Sequence, residues 1–152
     1  MKTKDLTKEA PRSPRVRIRD YVILARAIDK ARAGIAGKAG EYDYNCPLDR
    51  TLFTFKGVTG DEFLEQVKRG HSDEQLGIWL DEQGVPKTPE EIQAWSDSME
   101  GYCLYNNLEK RESFVAECVR LGLNPAKTTL FEWLDADDRV SFSAEMRQGV
   151  SA

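Results

Sequence analysis

The sequence predicts an all-α protein, a compact multi-helix domain of about six or seven helices built from αα-hairpins. Four candidate capping boxes predict helix starts, each a Ser or Thr followed three residues later by Glu or Gln, beginning at positions 59, 72, 88 and 129. Glycines at positions 70, 84 and 122 stand where helices should end, because glycine enters the left-handed conformation without a steric penalty. Between these signals, apolar residues recur at helical spacing.

The composition is typical of a folded single domain. With 152 residues, of which 40% are hydrophobic, the chain is long enough to bury one core. The longest unbroken apolar run, Tyr21–Ala25, is far shorter than the ~20 residues of a membrane span, and the first residues lack the apolar stretch of a secretory signal. We therefore expect a cytoplasmic protein, with residues 1–14 as a flexible basic arm, residues 15–148 as a single helical domain and residues 149–152 as a disordered tail.

Two short segments, near residues 15–19 and 41–46, alternate in polarity and are predicted to be extended. In the first segment, three guanidinium groups would lie on one edge: those of Arg15, Arg17 and Arg19. In the second, two phenols and a thiol would face one side: those of Tyr42, Tyr44 and Cys46.

The first helix is predicted to run from about Tyr21 to Ala36, with the Asp20 side chain capping its start. Apolar residues fall at helical intervals along one face of this helix, namely Leu24, Ile28, Ala31 and Ile35. Arg26 and Lys30 are assigned to the other face.

Charge is divided unevenly along the chain. Residues 1–38 contain 11 Lys and Arg against four Asp and Glu, whereas residues 39–152 contain 11 against 22. A basic segment of this kind can bind nucleic acid or another anionic surface. Pairing with the chain's own acidic body is favoured, because the acidic excess is larger than the basic one. Nucleic-acid binding would be weak and salt-sensitive, since no base-reading helix or stacking platform accompanies the basic residues.

The segment Gly40–Arg50 combines a thiol, two phenols, an amide and three carboxylates, and it is the best candidate for a site. At the N-cap before Pro47, Cys46 would face the positive end of a helix, which favours a thiolate. Cys46 and Asp49 are the candidate catalytic residues, but a nucleophile also needs a base, and the sequence does not place His71 beside it. The alternative, a cysteine that packs as a small hydrophobic residue, is commoner.

No metal site is predicted from the sequence. The chain has one histidine and three cysteines without CxxC spacing, which excludes a zinc site on ligand number and separation. The acidic run at residues 135–138 is followed by Arg139 and Val140, whereas a calcium loop requires further oxygen ligands and a central glycine. The cysteines are expected to stay reduced. The sequence indicates neither a cofactor nor an oligomeric state.

For function, the sequence favours a helical binding protein for a small anionic ligand or a protein partner, and it predicts no membrane partner. The predicted binding residues combine the arginines with the polar segment: Arg15, Arg17, Arg19, Tyr42, Tyr44 and Asn45. Guanidinium groups on a rigid edge suit phosphate or carboxylate. Two alternatives remain open, a small enzyme that uses Cys46 and Asp49, and a weak nucleic-acid adaptor that uses the basic segment. The sequence does not decide whether the protein is an enzyme.

Four motifs, DLTK, PRSPR, YNCPLD and TTLFEWLDADD, occur in this order along the chain. From Asp5 to about Ala144 the sequence resembles an uncharacterised bacterial family of proteins of similar length, known only as a domain of unknown function. The resemblance implies a single bacterial domain and carries no assigned activity. In that family the position of Asp43 is often histidine, which implies that this chain lacks a group that a histidine-based reaction would require.

Overall fold

A computed structural model describes the backbone of residues 3–151 and the side-chain surroundings of residues 3–143. The helices in the described part are α1 (Leu24–Ile35), α2 (Pro47–Lys56), α3 (Gly60–Lys68), α4 (Asp73–Glu82), α5 (Pro89–Glu100), α6 (Arg111–Leu121) and α7 (Leu130–Ser151), with a 3-10 turn at Leu104–Asn106. The all-α prediction is therefore confirmed. None of these helices is long and apolar enough to cross a membrane. The tail expected at residues 149–152 lies outside the residues whose side chains are described.

The chain divides into two compact units, Met1–Ser96 and Asp97–Ala152. The first unit contains α1 to α4 and most of α5, and the second contains α6 and α7. The segment Gly40–Arg50 and the three N-terminal arginines all belong to the first unit.

All four predicted capping boxes are present. In each, the N-cap hydroxyl accepts a hydrogen bond from the backbone N–H three residues on, and the side chain of that later residue accepts one from the N-cap N–H. The pairs are Thr59–Glu62, Ser72–Gln75, Thr88–Glu91 and Thr129–Glu132. The glycine stops are confirmed as well, since Gly70, Gly84 and Gly122 have φ of +81°, +67° and +71°. These helix ends follow from interactions within a few residues.

Helix α1 forms the centre of the first unit. Residues 21–31 are each at most 4% exposed, and α1 packs against α2, α3 and α4. Arg26 and Lys30, assigned to the face opposite the apolar stripe, are buried as well, because neighbouring helices cover α1 on several sides. Ile35, expected on the buried face, is 49% exposed at the end of the helix.

A tight turn precedes α1. Ile18 and Tyr21 pair through two backbone hydrogen bonds, of 3.2 and 3.0 Å, and Arg19 and Asp20 between them have φ of +49° and +66°. Positive φ at both central residues is the geometry of the two-residue turns that join paired strands most tightly. Arg19 therefore turns back, and the prediction of three guanidinium groups on one extended edge is wrong.

The predicted cap of α1 by Asp20 is also wrong. The N-cap residue is Ile23, whose φ is +74°, and no side chain caps the helix, which begins at Leu24 instead of about Tyr21. The Asp20 carbonyl oxygen instead accepts a hydrogen bond from the Ser96 hydroxyl on α5, over 2.5 Å. Tertiary contacts of the turn thus set the start of this helix.

The second segment expected to be extended, residues 41–46, forms no strand. It contains a turn at Tyr44 and Asn45, and Asn45 has a φ of +62°. Asparagine tolerates this left-handed conformation better than most residues. The turn leads directly into α2.

The first described residues make specific contacts with the first unit. Leu6 is 2% exposed, and its backbone N–H donates to the Lys38 carbonyl oxygen at 2.9 Å. Arg12 donates to both carboxylate oxygens of Asp29 on α1, and its Nη1 lies 2.8 Å from Asp73 Oδ2 at the start of α4. The segment expected as an arm therefore contributes a cation to an ion-pair network in this unit.

In the second unit, α6 packs against α7 and against the 3-10 turn. The Phe114 and Trp133 rings meet edge to face with centroids 6.1 Å apart, beside the buried Cys118 and Phe131. On the surface, Arg120 Nη2 lies 2.7 Å from carboxylate oxygens of both Glu117 and Asp137. A helix, a glycine stop and a capped second helix thus form this unit.

Candidate functional site

Cys46 is the N-cap residue of α2. Its backbone is extended, with φ of −71° and ψ of 171°, and Pro47 occupies the first helical position, as its fixed φ favours. The Cys46 side chain makes no capping hydrogen bond, so it is not used to satisfy the first N–H groups of the helix. The sulfur therefore lies at the positive end of a helix, which is electrostatically suited to an anion.

A buried ion pair adjoins this sulfur. Lys30 Nζ, on α1, lies 3.2 Å from Cys46 Sγ and 2.9 Å from Asp49 Oδ2. The Lys30 side chain is 4% exposed and the Asp49 side chain is fully buried, whereas Cys46 is only partly buried. One ammonium group thus contacts both the thiol and the carboxylate that the sequence singled out.

Asn45 completes this group, which we call the thiol cluster: Lys30, Asn45, Cys46 and Asp49. The Asn45 backbone N–H donates to Asp49 Oδ2 at 2.9 Å. Its side chain lies against the Cα of Gly60, where a Cβ would overlap the amide. Asn45 Oδ1 and Asp49 Oδ1 are both buried without a hydrogen-bond partner. Buried acceptors are rarely left unpaired in proteins, so these two oxygens are places where a small donor would be stabilised.

The two tyrosines of the segment have different surroundings. The Tyr44 hydroxyl donates to the Gly60 carbonyl oxygen at 2.7 Å, and its ring centroid lies 6.1 Å from that of Phe53. Burial, together with the negative charges of Asp49 and Asp61, raises the pKa of Tyr44 well above its usual range. Tyr44 is therefore a neutral structural donor near pH 7. The Tyr42 ring instead lies under Arg26, with the guanidinium carbon 5.5 Å from the ring centroid.

The three predicted binding arginines have separate surroundings. Arg19 binds two carboxylates on α4, with Nη1 2.6 Å from Glu74 and Nε 2.7 Å from Asp81. Arg15 is exposed and Arg17 is partly buried. The contacts of Arg19 are with α4, whereas those of Tyr44 are with α2 and α3 and those of Cys46 are with α1.

Reasoning from the sequence missed Lys30, the central residue of the thiol cluster. A signal was present in the composition, because nine of the thirteen residues from Tyr21 to Ala33 are apolar, more than a helix with one buried face requires. A helix that is apolar all round is buried, and its few charged residues must then be paired inside the protein.

A second, partly buried network also involves α1. Asp29 is 4% exposed and forms an ion pair with Arg12. The Asp73 carboxylate accepts hydrogen bonds from Nη1 of Arg12 and Nη1 of Arg32, each over 2.8 Å. Hydrogen bonds and positive charge from these two arginines lower the pKa of Asp73, outweighing the opposing effect of burial. Opposite charges balance within this network, so it joins the N-terminal segment to α1 and α4.

Three surface clefts lie on the first unit, and Cys46 lines none of them. One of about 220 Å³ is bordered by Ile35 and His71, one of about 400 Å³ by Arg12 and Asp73, and one of about 350 Å³ by Asp81 and Lys87. Among the described residues, no group of three or more His, Cys, Asp and Glu side chains is placed to hold a metal ion.

The fold and the site define an all-α protein with a partly buried thiol beside a buried lysine–aspartate pair. The chain belongs to a family described as a domain of unknown function (DUF5069), whose model matches residues 8–140. This confirms the resemblance to an uncharacterised domain family. Comparison with curated proteins gave no match.

Proposed function

We propose that the protein performs thiol chemistry at Cys46, with Lys30 as the cation that favours the thiolate and Asp49 as the group that holds Lys30 in place. One observation supports this above all others: Lys30 Nζ lies within hydrogen-bond distance of both Cys46 Sγ, at 3.2 Å, and Asp49 Oδ2, at 2.9 Å. Reactive cysteines are found next to cations and at helix N-termini while still open to reagents. Cys46 meets all three conditions, since it is only partly buried.

Stability alone is a weak reason for this arrangement. A buried ion pair is often no more stabilising than well-packed apolar residues of the same volume, because both charges must be removed from water. The Lys30–Asp49 pair is almost fully buried, and Asp49 Oδ1 is also left unpaired. Charged groups held under such conditions next to a nucleophile are more typical of functional sites than of packing.

The remaining cysteines provide an internal contrast. Cys118 is buried, and burial raises the pKa of its thiol, which makes it a poor nucleophile near neutral pH. The Cys103 thiol donates a hydrogen bond to the Thr128 carbonyl oxygen over 3.1 Å, and no cation contacts it among the described contacts. Only Cys46 of the three has a cation in hydrogen-bond contact among the described contacts.

The alternative, a site for a small anion at Arg15, Arg17, Arg19, Tyr42, Tyr44 and Asn45, has weaker support. The Arg19 guanidinium already binds two carboxylates, and the Tyr44 hydroxyl already donates to a carbonyl. Weak nucleic-acid binding by the basic segment likewise has no specific contact in its favour. We also propose a reducing, cytoplasmic setting, because free thiols persist there, and a bacterial origin, which the family resemblance implies.

The rate of alkylation of each cysteine tests this proposal. The protein is treated with limiting iodoacetamide at pH 6, and the modified peptides are quantified by mass spectrometry. Cys46 is expected to react much faster than Cys103 and Cys118. The Lys30→Met variant should lose this advantage, whereas Lys68→Met, which removes an exposed lysine of α3, should retain it. Equal or slower labelling of Cys46 in the unmodified protein contradicts the proposed function.

A further inference from the structure

We infer that the substrate of Cys46 is a small neutral hydroperoxide, and that Lys30 then joins the oxidised sulfur in a covalent Lys30–Cys46 link. The inference rests on the proposed function, because it takes Cys46 as the reactive thiol. It extends that function by naming the class of substrate and by giving Lys30 a second, chemical role.

The unpaired oxygens of the thiol cluster indicate the substrate class. Asn45 Oδ1 and Asp49 Oδ1 are hydrogen-bond acceptors without a partner, so a molecule bound beside them should supply O–H or N–H donors. When Cys46 reacts as a thiolate, the thiol cluster holds two negative groups, Cys46 and Asp49, against the single ammonium of Lys30, so a neutral molecule is favoured over a further anion. Because Asp49 is fully buried and Cys46 is partly buried, the molecule must also be small to reach the sulfur beside them. A hydroperoxide is small and neutral, carries an O–H donor, and has an electrophilic oxygen that a thiolate attacks.

In the first step, the Cys46 thiolate attacks the terminal oxygen of the hydroperoxide. The S–O bond forms as the O–O bond breaks, and the departing alkoxide or hydroxide takes up a proton from solvent water to leave as alcohol or water. The sulfur is oxidised by two electrons to sulfenic acid, and the hydroperoxide is reduced by the same two electrons.

In the second step, Lys30 Nζ attacks the sulfenic sulfur. The ammonium first transfers a proton to Asp49 Oδ2, which is 2.9 Å away, and the free amine is then 3.2 Å from the sulfur. The S–N bond forms as the S–O bond breaks, and hydroxide leaves as water with a proton from the nitrogen. This step involves no further oxidation. Sulfenic acids condense with a backbone nitrogen to form the same S–N bond, and the Lys30 amine is a stronger nucleophile than a backbone amide. Holding the amine next to the sulfur makes the step intramolecular.

Intact-mass measurement and peptide mapping test the inference directly. The full chain carrying Cys103→Ser and Cys118→Ala, with Cys46 as its one thiol, is treated with a stoichiometric amount of hydrogen peroxide. The mass should fall by two hydrogen atoms. Trypsin does not cleave at a linked lysine, so digestion should release residues 27–32 joined to residues 39–50. Reduction with excess dithiothreitol should restore the starting mass.

The variant Lys30→Arg distinguishes the two steps. It keeps a cation beside the sulfur but lacks the primary amine, so peroxide should now leave a sulfenic acid that dimedone captures. Circular dichroism establishes that the variant is folded. A dimedone-reactive sulfenic acid in the parent protein, without the linked peptides, overturns the inference while leaving the proposed thiol chemistry intact. Resistance of Cys46 to peroxide despite fast alkylation overturns the substrate class, whereas slow alkylation defeats the proposed function itself.

Discussion

The Tyr21 hydroxyl donates a hydrogen bond to Asp81 Oδ1 over 2.8 Å, which connects the turn before α1 to the last turn of α4. Tyr21 is fully buried, and the second Asp81 oxygen binds Arg19 of the same turn. This contact joins residues sixty positions apart in the sequence. It is the kind of contact that helix signals do not reveal.

Replacing Tyr21 with Phe should lower the free energy of unfolding by about 1 kcal/mol, because a buried hydrogen bond is lost while the ring remains in place. Urea unfolding followed by circular dichroism gives the difference. The variant Tyr21→Ala should be much more destabilised, since it also creates a cavity. An unchanged midpoint in Tyr21→Phe would show that Asp81 finds an equivalent partner in water.

The free energy of unfolding should decrease as the pH rises above about 10. Burial is the main cause that raises the pKa of Tyr21 and of Tyr44 above the ordinary value of 10.0. The two tyrosines have a higher pKa in the folded state than in the unfolded state, so keeping them neutral stabilises the fold. This stabilisation is complete below the unfolded-state pKa and is lost as the pH rises from the unfolded-state pKa through the folded-state pKa. Tyrosinate absorbance measured beside circular dichroism should show two tyrosines that ionise only when helix is lost. Ionisation of all five with intact helices would contradict the prediction.

Two glycines of the first unit should respond to alanine in opposite directions. Gly84 has a φ of +67°, and a Cβ there would overlap the Lys56 carbonyl oxygen, so Gly84→Ala should cost about 2 kcal/mol or more. Gly34 lies within α1 with nothing within 4 Å of the added Cβ. Gly34→Ala should therefore stabilise the protein by about 0.5–1 kcal/mol. The melting temperatures of the two variants, measured under the same condition, should shift in opposite directions from that of the unmodified protein. Shifts of the same sign and size would contradict the prediction.

The Lys30–Asp49 pair should show strong coupling in a double-mutant cycle. Lys30→Met alone leaves a buried carboxylate uncompensated and should cost about 3–5 kcal/mol. Combining it with Asp49→Leu should recover most of that loss, because both charges are then absent. The exposed pair Lys68–Glu65 serves as the control, with an expected coupling of less than about 1 kcal/mol. Additive effects of the two buried substitutions would show that the pair is not desolvated.

The capped helix starts and the glycine ends after residue 58 were predictable because they depend on neighbours in the sequence. The reciprocal bonds of Thr59 with Glu62, or of Ser72 with Gln75, connect residues three apart, and Gly70 ends a helix through its own backbone. The N-cap position of Cys46 was only suggested, by Pro47 at a first helical position, because residues 51–55 alone could equally form a strand; the structure has the helix.

The candidate site was only partly predictable. Cys46 and Asp49 were singled out from the residue types of one short segment, and the structure places both in contact with Lys30. Lys30 itself was assigned to the face opposite the apolar stripe and not to the site, because helical periodicity shows which residues share a face but not which helices cover that face. The three arginines were grouped by their alternation, which a turn at Arg19 interrupts.

By itself, the sequence determined the helical class, the capped helix starts and the glycine ends. Tertiary structure decided that α1 is buried on several sides, that Ile23 rather than Asp20 precedes it, and that an ammonium from α1 meets Cys46 and Asp49. The physical reason is the distance along the chain between the residues that interact. Caps and stops are satisfied within one turn of chain, whereas the pairing of a buried charge depends on which distant segment excludes water from it.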